Sequence, residues 1–330
     1  MSLGILVDGK WVSEREQEDS QGKFIRPSTT FRNKITADGS SGFKAEPGRY
    51  HLYISWACPW AHRTAIMRQL KGLEDVISLS VVAPEIKQNS WEFSDEPGCI
   101  PDTVNRSRYL WEVYLKADSN YNGRVTVPVL WDKETATIVN NESREIIRMF
   151  DTEFDDFAKS DMNFYPTELP EAVDKTIDAI YQPINNGVYR AGFATSQAAY
   201  DEAVTELFDA LDRWEKVLEE QRYLCGESIT EADWCMFTTL LRFDAVYYVH
   251  FKCNLRRIVD YPNLWNYLKD LYQVPGVKET CNLDHIKRHY YKSHPKVNPT
   301  GIVPKGPLID FEEPHNREQL TRKVANAIAV

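Results

Sequence analysis

The sequence predicts an α/β domain followed by an all-α domain, and three observations carry that expectation. The chain has 330 residues, more than one hydrophobic core ordinarily organises, because single cores stop growing at about 250–300 residues. Between residues 47 and 160 the apolar pattern moves between strand and helix periods in the order βαβ–ββα. Beyond Pro166 and Pro170 the strand signals vanish and amphipathic helical spacing takes over.

Residues 1–46 are rich in Gly, Ser, Thr and charge, with scattered aromatics, and read as an extended arm that packs on something rather than as a domain. After Pro47-Gly48, the segment 49–54 alternates as a strand. Residues 59–71 then carry helical spacing that ends near Gly72, and 76–82 is a second strand. An aromatic-rich insertion follows from Ala83 to Gly123, containing Trp91 and Phe93 and a helix over 108–117. Strands over 125–131 and 137–139 flank a turn at 132–134, and a helix over 142–150 takes Asn140 or Asn141 as its cap. This order is the thioredoxin-like arrangement.

The second half reads as helices over 171–187, 196–221, 230–248 and 262–272. Thr230 and Asp233 stand three residues apart at the start of one of them, a capping box. The expected boundaries are an arm at 1–46, the thioredoxin-like domain at 47–160, the helical domain at 161–294 and a proline-bearing tail at 295–330. That tail should wrap the surface before a short helical end.

Composition narrows the function. With 39 basic against 49 acidic residues and a net charge of −10, there is no broad positive field to collect phosphates, so no nucleic-acid partner is expected. The first twenty residues lack the basic start and apolar run of a secretory signal, and no stretch of about 18 uncharged apolar residues exists. A cytoplasmic protein with no membrane partner is expected, with its six cysteines as free thiols.

Cys58-Pro59-Trp60-Ala61-His62 carries the sharpest chemistry. It lies after the first strand and opens the first helix, where N–H groups and the helix dipole favour thiolate over thiol and draw the pKa below the free value of about 8.5. Pro59 suits the first helical turn, where a missing N–H costs nothing. A dithiol motif would place a second cysteine one turn along, and that position is Ala61. Cys58 can therefore form a mixed disulfide, but a small external thiol must release it.

Two further segments complete the pattern. In Thr126-Val127-Pro128-Val129, a proline at the mouth of a strand suits a strand start or a cis turn. A cis turn would aim the Val127 main chain at a peptide-like ligand. Asn141-Glu142-Ser143 opens a helix, so the hydroxyl and N-terminus suit a carboxylate while Glu142 suits an ammonium, the two charged groups that a γ-glutamyl end carries on one carbon.

Together these residues resemble the glutathionyl-hydroquinone reductases, or Xi-class glutathione transferases. The resemblance spans roughly residues 20–295. It rests on Gly22-Lys23-Phe24-Ile25-Arg26 with Phe31-Arg32, on Ser55 through Arg63, and on Trp91, Val127-Pro128 and Asn141-Glu142-Ser143. Arg242 through Tyr247, His250 through Asn254, and His285 with His289-Tyr290-Tyr291 complete it.

The resemblance implies a C-terminal helical glutathione-transferase domain, glutathione as co-substrate without a metal, aromatic glutathionyl-hydroquinones as substrates, and a homodimer formed through the helical domain. It implies that Trp91, Arg124, Val125, Thr126, Val127, Pro128, Glu142 and Ser143 hold glutathione. It also implies that Cys58 attacks its sulfur, that Tyr189 serves as acid or base, and that Tyr247 and Tyr290 stabilise the thiolate or orient the ring.

Other readings compete. Cys281, His285 and His289 share a helical face, with His250 and Cys253 nearby, yet they lack the compact paired spacing of a zinc site. An Omega-type thioltransferase or dehydroascorbate reductase shares the monothiol cysteine and two-domain plan; the arm, the Trp91 insertion and Tyr290-Tyr291 speak against it. A non-enzymatic binding module on the same fold would have no use for Cys58, Pro128 and Glu142-Ser143 together. Intact mass after exposure to oxidised glutathione separates the enzymatic from the scaffolding reading. A glutathione adduct at Cys58, lost in Cys58→Ser, is expected, and no adduct on the native protein would refute the nucleophile.

Overall fold

The computed structural model describes residues 4–13 and 18–320. Within them the chain forms two compact units. One takes residues 4–13, 26–162 and 279–303, and the other 18–25, 163–278 and 304–320.

The first unit opens with β1 (Ile5–Val7) and β2 (Lys10–Val12), then β3 (Tyr50–Ile54), α1 (Pro59–Leu70), β4 (Ser78–Val81) and α2 (Leu110–Ala117). β5 (Gly123–Arg124), β6 (Val129–Asp132), β7 (Thr137–Asn140) and α3 (Ser143–Thr152) follow. The main sheet has the order β4-β3-β6-β7. β3 runs parallel to β4, pairing Leu52 with Leu79, and antiparallel to β6, pairing Leu52 with Leu130. All five β3 residues are buried, as a central strand covered on both faces requires.

The arm is more ordered than its composition suggests. β1 and β2 form a hairpin whose Asp8-Gly9 turn takes φ values of +48° and +70°, the left-handed pair that a two-residue hairpin demands. β1 also pairs with β5, making a second, three-stranded sheet. The strand expected over 125–131 is shortened to Val129–Asp132, because Pro128 cannot donate to a ladder and the main sheet takes up the chain only at Val129.

Two boundaries are corrected. The cap of α3 is Glu142, whose carboxylate accepts the Arg144 N–H at 3.3 Å. Asn140 instead accepts the Glu142 N–H at 2.7 Å, and Asn141 accepts from Phe31. The segment after 278 also leaves the helical domain. The helix Leu283–Ser293 belongs to the first unit, because Arg288 pairs with Glu85 and Glu96 and Ser293 accepts the Ile86 N–H at 2.9 Å.

The second unit contains α4 (Pro170–Ile180), α5 (Gly187–Gly192), α6 (Gln197–Glu220), α7 (Glu231–Arg242), α8 (Tyr248–His250) and α9 (Pro262–Tyr272); the late helix at 283–293 is α10. The helix expected over 171–187 is interrupted by a π-turn at Tyr181–Asn185, where the Asn186 N–H reaches the Tyr181 carbonyl at 2.8 Å. Pro183 lies inside it, and its missing N–H and bulky ring disfavour an unbroken α-helix. A second π-turn, Phe243–Tyr247, joins α7 to α8 inside the segment read as one helix over 230–248.

Residues 18–25 pack on this second unit. Gly22 has φ +79°, and a Cβ there would come within 2.7 Å of Thr195 Oγ1 and 2.9 Å of the Ser196 nitrogen. Only glycine fits the backbone and the space at once. Lys23 pairs with Glu202 at 2.7 Å, and the Phe24 ring lies against Phe193 at 5.4 Å. Of the tail, residues 304–320 belong to this unit. Gln273 donates to the Phe311 and Glu313 carbonyls, and Arg317 to that of Arg222. The expected helical end falls largely on 321–330, outside the described residues.

Asp233 is a heavily bonded carboxylate of this unit. Fully buried, it accepts the Leu224 N–H at 2.9 Å, the Thr230 N–H at 2.8 Å, the Thr230 hydroxyl at 3.0 Å and the Tyr267 hydroxyl at 2.8 Å. The capping box is thus present, extended by two long-range donors. Burial pushes its carboxyl above the ordinary carboxylate range. Every neighbour is a donor, so Asp233→Asn would turn an amide N–H₂ toward other N–H and O–H groups. A loss of about 3 kcal/mol is expected in urea unfolding, and a loss below about 0.5 kcal/mol would contradict this account.

Candidate active site

Cys58 is the N-cap of α1, with φ −76° and ψ 120°, and Pro59 follows at the first helical position. The Cys58 carbonyl accepts the His62 N–H at 2.9 Å, which starts the helical ladder. No acidic residue occupies the first turn, so no carboxylate there offsets the positive end of the helix beside the sulfur. Cys58 is half-buried, and its Sγ lies 3.5 Å from the Val127 carbonyl oxygen. The Val127–Pro128 bond is cis. Position 61 is a fully buried alanine, and all six cysteines are free thiols.

The segment before the proline is held from one side by Tyr114. Its hydroxyl donates to the Thr126 carbonyl at 2.9 Å and accepts the Thr126 N–H at 3.2 Å. The same oxygen accepts from the Asn141 amide at 3.1 Å. Burial pushes the Tyr114 phenol up, so it stays protonated and can serve as donor and acceptor together. The Thr126 main chain is therefore occupied by Tyr114, while the Val127 carbonyl is the group of this segment that meets the cysteine. Arg124 sits in β5 with its carbonyl bonded to Tyr121 at 3.1 Å, and Val125 is wholly buried.

Asn141 leads into Glu142 and Ser143. The Thr29 hydroxyl donates to Glu142 at 3.3 Å, and Arg32 makes a paired contact with Glu145. The arm residues Thr29 through Arg32 thus brace the start of α3. Ser143 is buried and accepts from Arg63 Nη1 at 3.4 Å. Arg63, a turn beyond Cys58, lies over the Trp60 ring at 4.5 Å, with Arg26 on the same ring at 5.0 Å. Sequence reasoning gave Arg63 no role; a buried arginine in a helix leaves no periodic signal, though its place in the Cys58 block is a pointer.

Trp91 is 3% exposed, and its indole Nε1–H has no hydrogen-bond partner among the described residues. Leaving such a donor unpaired costs about 1–3 kcal/mol, and a carbonyl or carboxylate oxygen would satisfy it.

The tyrosines divide between the units. Tyr290 is buried on α10 of the first unit, edge-on to His289 at 5.1 Å. Tyr189 and Tyr247 belong to the second unit, where their rings lie 6.0 Å apart and both meet Phe251. Tyr247 ends the second π-turn and Tyr189 follows the first by four residues, a placement that helical periodicity alone does not reveal.

The histidines of the zinc reading are engaged elsewhere. His285 Nε2 meets the Pro97 carbonyl at 2.9 Å, and His289 Nδ1 the Pro84 carbonyl at 2.8 Å. Among the described residues no group of three or more His, Cys, Asp or Glu side chains is placed to hold a metal ion. No helix among them is long and apolar enough to cross a membrane.

Residues 57–153 match the model of the glutathione S-transferase N-terminal domain, and 197–270 that of the C-terminal domain. The chain is 53% identical to the glutathionyl-hydroquinone reductase YqjG of Escherichia coli K12, covering 96% of this chain and 99% of that one. It is 50% identical to the glutathionyl-hydroquinone reductase PcpF of Sphingobium chlorophenolicum, over 92% and 96%. Its fold superimposes on a Xi-class glutathione transferase from Natrialba magadii with a TM-score of 0.93 at 56% identity, covering 96% and 98%. The glutathione-bound structure of YqjG matches with a TM-score of 0.88 at 52% identity, over 96% and 99%. With half or more of its residues shared with these proteins over nearly its whole length, the chain belongs to the glutathionyl-hydroquinone reductase family, the Xi-class glutathione transferases.

Proposed function

We propose that this protein is a glutathione-dependent reductase that removes glutathione from aromatic glutathionyl-hydroquinones. The observation that carries the reading is Cys58 at an uncompensated helix N-terminus, 3.5 Å from the Val127 carbonyl, with alanine where a resolving thiol would stand. That arrangement favours a mixed disulfide with a small thiol over an internal dithiol cycle. The relatives named as glutathionyl-hydroquinone reductases, and the glutathione-bound one among them, support it.

The chemistry balances with one free glutathione in addition to the glutathionyl group of the substrate. The Cys58 thiolate attacks the thioether sulfur, the carbon–sulfur bond breaks, and its electron pair goes to the ring carbon, which takes a proton. A second glutathione thiolate then attacks the Cys58–glutathione disulfide, returning the Cys58 thiolate and releasing oxidised glutathione. The ring gains the two electrons that the two glutathione sulfurs lose. Tyr189, Tyr247 and Tyr290 are assigned by the resemblance as proton donor and ring-orienting hydroxyls, a role within reach of a phenol. Trp91, Arg124, Val125, Thr126, Val127, Pro128, Glu142 and Ser143 are assigned to glutathione. The unpaired Trp91 donor, the Ser143 hydroxyl and the Val127 main chain give that assignment its support, whereas the bonded Thr126 main chain contributes through Tyr114. The same family likeness leads us to propose a cytoplasmic homodimer.

Steady-state assays test the reaction. A strong preference for a glutathionyl-hydroquinone over dehydroascorbate is expected, with turnover in Cys58→Ser lowered by a factor on the order of 10³ or more. Preference for dehydroascorbate, or full turnover in Cys58→Ser, would overturn the assignment. Sedimentation equilibrium tests assembly: twice the mass of 38.2 kDa is expected, and a monomer at micromolar concentration refutes the dimer.

A further inference from the structure

We propose that His289 is a positioning residue for glutathione, holding the Trp91 indole at the angle from which its N–H reaches the ligand. This rests on the reading of Trp91 as a glutathione-binding residue. The two rings stack at 5.1 Å between centroids with only 13° between their planes, so rotation of the indole about its side-chain bonds would break the contact. His289 is itself fixed: a carbonyl can only accept, so the 2.8 Å contact to the Pro84 oxygen places the proton on Nδ1.

Pro84 and Trp91 belong to the same insertion, seven positions apart. The Trp91 main chain is held separately, its carbonyl accepting the Leu110 N–H at 3.0 Å. With the backbone tied by Leu110 and the ring plane by His289, the indole N–H keeps one direction. It is buried and unpaired among the described residues, a donor pre-aimed at an oxygen acceptor. The ring of His289, only 7% exposed, is the link through which α10 sets that direction.

Because Tyr290 also meets the His289 ring, at 5.1 Å and 82°, turnover would mix two effects. Equilibrium binding of reduced glutathione to the Cys58→Ser protein, measured by calorimetry, isolates the one proposed. His289→Phe keeps a stacking ring without the Pro84 bond, and His289→Asn keeps a donor near Nδ1 without the ring. Each is expected to raise the dissociation constant about tenfold, as one poorly aimed buried hydrogen bond would.

The decisive comparison is with Trp91→Phe, which removes the donor. If His289 acts through the indole, Trp91→Phe with His289→Phe binds no more weakly than Trp91→Phe alone. Additive losses in that pair, or unchanged affinity in folded His289→Phe and His289→Asn, would overturn the proposal. Unchanged affinity in Trp91→Phe would instead remove the reading of Trp91 on which it stands. A variant that does not fold at the assay temperature counts against it, since a positioning role predicts a stable protein with altered affinity.

Discussion

The Tyr114 hydroxyl is the constraint on which the arrangement of the first unit around Val127 and the start of α3 depends. One oxygen donates to the Thr126 carbonyl and accepts from the Thr126 N–H and the Asn141 amide. It therefore joins the strand entrance that brings Val127 to Cys58 with the loop that presents Glu142 and Ser143. Burial that keeps the phenol protonated is what lets one atom do both. The Phe31 ring packs edge-on against Tyr114 at 5.9 Å, and the Asn141 N–H donates back to the Phe31 carbonyl at 3.1 Å. The arm thus finishes a network that starts in α2, which explains why an otherwise loosely patterned segment carries the Phe31-Arg32 block.

The second unit solves a different problem, that of helices whose faces must change direction along their length. Each π-turn adds a residue to the turn and so rotates the following face. The first falls where Pro183 disfavours a regular ladder, and Asn185 within it donates to the Cys235 carbonyl at 3.0 Å and Thr239 at 2.9 Å on α7. The second is steadied by Asp244, which accepts the Ile258 N–H at 2.6 Å and the Val259 N–H at 3.1 Å. Tyr189 and Tyr247 follow from these two irregularities, sharing an aromatic cluster with Phe251 and Phe193. Irregular backbone here is held by specific polar contacts rather than by loose packing.

For Cys58, local order sets its chemical character. A helix N-terminus without a first-turn carboxylate favours the anion, and alanine at position 61, where a resolving thiol would stand, determines what can follow once a sulfur–sulfur bond has formed. Arg63 stands one turn along, over Trp60 and bonded to Ser143, so the helix bearing the nucleophile also reaches the proposed γ-glutamyl position. The proposed nucleophile and the arginine that reaches Ser143 are then parts of one rigid element, which is how a small fold keeps groups in register.

The sequence by itself determined the βαβ–ββα order of the first domain, the two-part plan, Cys58 at the start of a helix with alanine at position 61, Pro128 at a strand mouth, Glu142-Ser143 at a helix start and the Thr230–Asp233 cap. Each of these is written in neighbouring residues, through hydrophobic period, proline geometry or capping chemistry. Only the tertiary structure decided that the arm forms a hairpin and is shared between the units, and that α10 joins the first unit. It alone showed that Glu142 caps α3, that two helices carry π-turns, and that Tyr114, Arg63 and His289 serve residues 12 to 198 positions away. Contacts made across such separations depend on how surfaces meet after the chain collapses, and a one-dimensional pattern records the faces but not their partners.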